Sequence, residues 1–271
     1  MTYHWRAMRL PTLFISHGGG PWPWMEERLA EFARTADWLT RLPSTLPTAP
    51  KAILSISGHW EEPYFTVATS AQPPMVYDYY NFPPHTYRVK YPAPGSPELA
   101  YRVATLLRQA GITVRENAER GFDHGTFVPL ALMYPDASIP VVSLSLRSTL
   151  DAREHLEMGA ALEPLRDEGV LILGSGLSYH NLRMLFSSPS AGPVSEQFER
   201  WLTDVVADPD AASRAQRLAS WQQAPGARLA HPREDHLIPL MVAAGAAGTS
   251  AGRRALLDVV WGIAMASYQF G

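Results

Sequence analysis

The stretch DAREHLEMGAALEPLRDEGVLILGSGLSYHN, residues 151–181, decides the fold. Its first part, 151–167, reads as a helix ending before Gly169, and it feeds directly into an apolar run, 169–174, with the length and branching of a buried strand. Similar strand-like runs are expected at 12–16, 51–57, 65–69, 112–115 and 140–146. A helix is expected at 97–110, with Pro97 suited to its first turn and Gly111 to its stop. This alternation predicts an α/β fold, a mixed and largely parallel sheet flanked by helices. Residues 195–223 read as a polar helical segment and 234–247 as a helix leading to a last apolar stretch, 256–268. With no repeat, linker or low-complexity block, a single domain over residues 1–271 is expected.

Composition narrows the function. Hydrophobic residues make up 46% and charged residues 18%, the balance of a folded globule and not of a disordered chain. The net charge is -3, and lysine occurs only at Lys51 and Lys90, so there is no basic stripe to neutralise nucleic-acid phosphates. Cysteine is absent, which leaves His, Asp and Glu as the strong metal ligands. Met1 to Arg9 does not read as a secretory leader, and no run approaches the roughly 20 apolar residues of a membrane span. A cytoplasmic enzyme without membrane or nucleic-acid partners is expected, and its oligomeric state is not legible.

The histidines carry the chemistry. His17, His59, His124 and His180 stand where apolar, strand-like runs stop at Gly, Ser or Tyr residues. In an open α/β sheet the carboxyl ends of the strands share one rim, so imidazoles there can converge on a metal centre. Gly18-Gly19-Gly20 after His17 permits close backbone approach, and Asp123 is able to fix the tautomer of His124. Near the carboxyl end, His231, Glu234, Asp235 and His236 offer further ligands, and spacing alone does not choose among them. His4, His85 and His155 lack such a context. Neither G-x-S-x-G nor H-E-x-x-H occurs, which disfavours a serine hydrolase and a zincin-type protease. The aromatic loop 72–97, with Tyr77, Tyr79, Tyr80, Phe82, Tyr87 and Tyr91, is expected to wall a pocket for a flat ring or to pack on the core.

Taken in order, Pro11-Thr12-Leu13-Phe14-Ile15-Ser16-His17-Gly18, Ser57-Gly58-His59-Trp60, Tyr91-Pro92-Ala93-Pro94-Gly95, Gly121-Phe122-Asp123-His124-Gly125, Gly174-Ser175-Gly176, His180-Asn181-Leu182-Arg183 and Asp235-His236 resemble the class III extradiol ring-cleavage dioxygenases, in particular the 4,5-DOPA extradiol dioxygenase-like subfamily. The resemblance implies a metal held by His17, His59 and His236, with His180 as acid/base and as a fourth ligand when substrate is absent. It implies that His124 lines the oxygen or substrate side. It also implies Fe(II) as the catalytic metal, with Zn(II) able to occupy the isolated protein, and a catechol plus O2 as partners. The chain departs from the family where Gly19-Gly20-Pro21 replaces the usual Ser-Pro-Met after His17, a change expected to reshape one wall. Because a neutral three-histidine set also suits zinc, a Zn-dependent hydrolase and a non-catalytic binder of metal or aromatic ligand stand as alternatives.

Overall fold

The run at 169–174 becomes the centre of the main sheet. In the computed structural model, which describes residues 9–271, the strands are β1 (Thr12–Ser16), β2 (Ala52–Ser57), β3 (Glu61–Glu62), β4 (Phe65–Ala68), β5 (Val114–Asn117), β6 (Val141–Ser143), β7 (Leu146–Arg147), β8 (Val170–Gly176), β9 (Gly252–Val260) and β10 (Ile263–Phe270). The helices are α1 (Glu26–Glu31), α2 (Ala33–Thr45), α3 (Pro97–Gln109), α4 (His124–Met133), α5 (Ala152–Leu162), α6 (Leu182–Ser187), α7 (Ala191–Val206), α8 (Ala211–Ala219), α9 (Ala227–Ala230) and α10 (Ile238–Ala246). His4, and the leader reading of the first residues up to position 8, lie outside the described residues.

The main sheet runs β6-β2-β8-β1-β10-β9. β6, β2, β8 and β1 are mutually parallel neighbours, whereas β10 lies antiparallel to β1 and β9 antiparallel to β10. Every residue of β1, β2 and β8 is buried because helices cover both faces. On one face Thr12 donates to the carbonyl of Ala243 in α10 at 2.7 Å. On the other, the hydroxyls of Ser55 and Thr126 in α4 lie 3.0 Å apart, and Ser175 donates to the carbonyl of Gly125 at 2.5 Å. Small residues at the ends of β2 and β8 thus let α4 sit directly on the rim where the strands stop.

Several elements depart from the pattern read in the sequence. The runs at 65–69 and 112–115 leave the main sheet and pair with each other as β4 and β5, and 140–146 divides into β6 and β7. The polar segment 195–223 breaks because Asp210 caps a new helix, accepting from the N–H groups of Ala212 and Ser213. The last apolar stretch is the hairpin β9–β10, whose connecting Trp261 and Gly262 both have positive φ, 54° and 77°, as a tight two-residue turn requires. His124 ends no strand. It opens α4, because Asp123 accepts from the Thr126 N–H at 3.1 Å and starts a helix there. No helix among the described residues is long and apolar enough to cross a membrane.

Candidate metal centre

Since β1, β2 and β8 are parallel, their carboxyl ends open on one rim. His17 directly follows β1, His59 follows β2 after Gly58, and His180 lies beyond β8. α4 and the loop before α10 add His124 and His236. Gly176 is what allows the last of these: a Cβ there would overlap the backbone carbonyl oxygen of His236. Gly125 serves the other face, since a Cβ on it would overlap Ser57 Oγ and press on the His59 ring.

The Nε2 atoms of His17 and His59 are 3.1 Å apart, and those of His59 and His236 are 3.2 Å apart. The protons on these rings follow from the groups behind them. Ser175 gives its only proton to the Gly125 carbonyl, so it accepts from Nδ1 of His17 at 3.0 Å. Asp235 Oδ2 accepts from Nδ1 of His236 at 2.8 Å, and Asp78 Oδ2 lies 3.3 Å from Nδ1 of His59. Burial, reinforced by the neighbouring imidazoles, holds His17 well below the usual histidine range. Burial likewise holds His236 well below that range, against the opposing hydrogen bond to Asp235, and lowers His59 to about 4. Each ring is therefore neutral at physiological pH, and the acceptor behind each draws its one proton to Nδ1.

Three bare Nε2 lone pairs consequently face one another with no proton to bridge them, an arrangement that repels unless a cation lies between. His17, His59 and His236 fit a metal ion in this sense. The charge balance agrees. Burial would raise the carboxyl of Asp78, but the hydrogen bond from His124 and the proximity of His124 and His59 outweigh it and hold Asp78 at about 2. Burial is likewise outweighed at Asp235, which His236 and His180 hold below the usual carboxylate range. Two carboxylates behind a neutral ligand set offset the charge of a divalent ion.

His124 and His180 flank this trio. His124 bonds through Nδ1 to Asp78 Oδ1 at 2.9 Å, and its ring centroid lies 4.0 Å from that of His59. The His180 ring stacks on His236 with centroids 3.6 Å apart, its Nδ1 being 3.9 Å from Asp235 Oδ1. His231 does not join them. It is fully buried against Phe198 and Trp221 and donates through Nε2 to the Ser178 carbonyl at 3.0 Å. His155 and His85 are also elsewhere, bonded to the carbonyls of Asp151 and Trp24.

A cleft of about 400 Å³ opens over the five histidines. Tyr79, Tyr80 and Phe82 of the aromatic loop line it, while Tyr77 donates to the Val89 carbonyl and Tyr91 to that of Tyr134, packing the loop onto the body. The glycine turn after His17 lines the cleft, and Gly20, at φ 60°, lies so close to the Phe82 ring that a Cβ on it would overlap the ring. Phe186 and Trp261 also line the cleft, their ring centroids 6.4 Å apart. Arg183 and Lys90 do not line the cleft, whereas Arg28 does, stacked 4.9 Å from the Trp261 ring centroid. Asp78, Ser175 as a support for His17, and Arg28 are residues that sequence reasoning missed. The available signal for Asp78 was that it is the one charged residue in the aromatic run 72–87.

The family model for the catalytic LigB subunit of aromatic ring-opening dioxygenase matches residues 12–271. The chain is 39% identical to a 4,5-DOPA dioxygenase extradiol of Beta vulgaris, over 95% of this chain and 94% of that protein. It is 37% identical to the dioxygenase tasH of Hapsidospora irregularis, over 96% of this chain and 85% of that one. Among solved structures, an uncharacterized protein, JW3007, from Escherichia coli K12 superposes with a TM-score of 0.78 at 32% identity, covering 97% of this chain and all of the other. The converging imidazoles thus sit on a scaffold shared along nearly its whole length, and the chain belongs to the family of the catalytic LigB subunit of aromatic ring-opening dioxygenase.

Proposed function

We propose that the protein is an Fe(II)-dependent extradiol dioxygenase that opens the ring of a DOPA-like catechol with O2. His17, His59 and His236 would hold the iron, and the three unprotonated Nε2 atoms facing one another at 3.1 and 3.2 Å carry the reading. Bound iron would supply the electronic link between an aromatic diol and dioxygen that their direct, spin-forbidden reaction lacks.

The remaining residues handle protons and the ring. His180 keeps Nδ1 toward Asp235 and leaves Nε2 to take a catechol hydroxyl proton and later return it. In the absence of substrate it would serve as a further ligand, its ring stacking on that of His236. His124, anchored at Nδ1, offers Nε2 on the oxygen or substrate side. Tyr79, Tyr80, Phe82 and Phe186 offer apolar faces for the ring and keep water from it. Arg28 is a permanent cation at the cleft wall, suited to the carboxylate of a DOPA-like side chain.

The test is anaerobic reconstitution of the apo-protein with Fe(II) and, separately, Zn(II), followed by oxygen uptake with L-DOPA and simple catechols. Iron-dependent uptake with a yellow ring-opened product is expected, and zinc is expected to support none. His17→Ala and His59→Ala should abolish metal retention, while His180→Ala loses turnover with a smaller loss of metal. Iron-loaded protein that consumes no oxygen with any catechol would overturn the reading, and ester or amide hydrolysis with zinc would replace it.

A further inference from the structure

Asp78 stands between two histidines that have different tasks. Its Oδ1 accepts from Nδ1 of His124 at 2.9 Å and from the backbone N–H of the same residue at 3.0 Å. Its Oδ2 lies 3.3 Å from Nδ1 of His59. The other nitrogen of His59 points at His17 and His236. The other nitrogen of His124 is not among the buried, unpartnered polar atoms of the described residues, and His124 lines the cleft, so its Nε2 opens into that space.

A neutral imidazole has one proton, and whichever nitrogen is tied to an acceptor keeps it. We infer that Asp78 is a positioning residue whose single carboxylate fixes both tautomers, making His59 a metal donor through Nε2 and His124 a proton acceptor that faces the substrate. The inference rests on the metal-centred reading above. It also explains why an aromatic loop with no other acidic residue brings one acid to the site.

The geometry makes one substitution diagnostic. In Asp78→Asn, the two N–H donors of His124 keep the side-chain oxygen where Oδ1 now lies. The amide NH2 is then turned on Nδ1 of His59. Two donors cannot face each other, so the His59 proton moves to Nε2, where it blocks the metal. The variant preserves shape and the tautomer of His124 while inverting that of His59. In Asp78→Ala both tautomers are released.

The experiment compares wild type, Asp78→Asn and Asp78→Ala by zinc affinity in chelator competition and by ¹⁵N–¹H correlation of the imidazoles in the apo-proteins. The Asn variant is expected to bind zinc about 10- to 100-fold more weakly than wild type. Its His59 should show the Nε2–H tautomer and its His124 the unchanged Nδ1–H form. With the Ala variant, both rings should show mixed tautomers, and kcat on a catechol should fall even at saturating Fe(II). Zinc affinity of the Asn variant within about threefold of wild type, with His59 still Nδ1–H, would overturn the role of Asp78. If the Asn variant does not fold, unchanged His59 and His124 tautomers in the Ala variant would overturn it instead. Failure of wild type itself to bind zinc or iron would count against the metal-centred reading, a result distinct from either.

Discussion

Replacing Ser175 with alanine would test whether the site is organised by proton positions. Ser175 is fully buried, donates to the Gly125 carbonyl at 2.5 Å, and lies 3.0 Å from Nδ1 of His17. Alanine removes both interactions without adding volume. The Nδ1–H of His17, itself fully buried, is left without an acceptor, which costs about 1–3 kcal/mol. His17 escapes that cost by moving its proton to Nε2, and metal binding must then reverse the shift. At about 1.4 kcal/mol per decade, the loss in metal affinity is roughly 5- to 150-fold. The stranded Gly125 carbonyl lowers the stability of the apo-protein by about 1 kcal/mol more. Zinc affinity by chelator competition reads the first effect and urea unfolding the second. Affinity within about threefold of wild type would refute the claim that Ser175 sets the His17 tautomer.

Other perturbations probe the scaffold. Gly176→Ala drives a Cβ into the carbonyl oxygen of His236, a backbone atom that cannot rotate away. It should cost about 1–3 kcal/mol in a thermal melt, and a larger share of metal content and oxygen uptake, because the displaced residue is one of the proposed ligands. The pH dependence of stability follows from histidines outside the site. Burial lowers His155 to about 4 and His231 to about 3, from 6.5. The unfolded chain therefore binds more protons than the native one below pH 6.5, so apo-protein stability is complete above that pH and falls as the pH drops towards 4. At pH 5 each histidine removes about 2 kcal/mol, and urea titrations at pH 7 and pH 5 on wild type and His155→Gln should show a shallower loss in the variant.

Much of the fold was legible because buried parallel strands leave a local signature. Ile53-Leu54, Leu13-Phe14-Ile15 and Leu171-Ile172-Leu173 are apolar on both sides, which only a sheet covered on both faces permits. β1, β2 and β8 run parallel, which puts their trailing histidines on one rim. The departures arose where pairing partners are distant in sequence. Nothing local tells β4 to pair with β5 outside the main sheet, or the last apolar stretch to return as a hairpin.

The histidines proposed to bind metal could be narrowed down from the sequence, because without cysteine the strong ligands had to be histidine or carboxylate and the strand-end positions of His17 and His59 were local facts. What only tertiary structure decided was which nitrogen of each ring is bare. That depends on Ser175, Asp78 and Asp235, and for His17 and His59 the acceptor comes from a segment remote in sequence. The choice of His236 over His231 rested on family pattern until packing separated them, one ring at the rim and the other sealed against Phe198 and Trp221. Local sequence sets which atoms are available, whereas the direction of a proton in a buried hydrogen bond is set by contacts that exist only after the strands and helices have assembled.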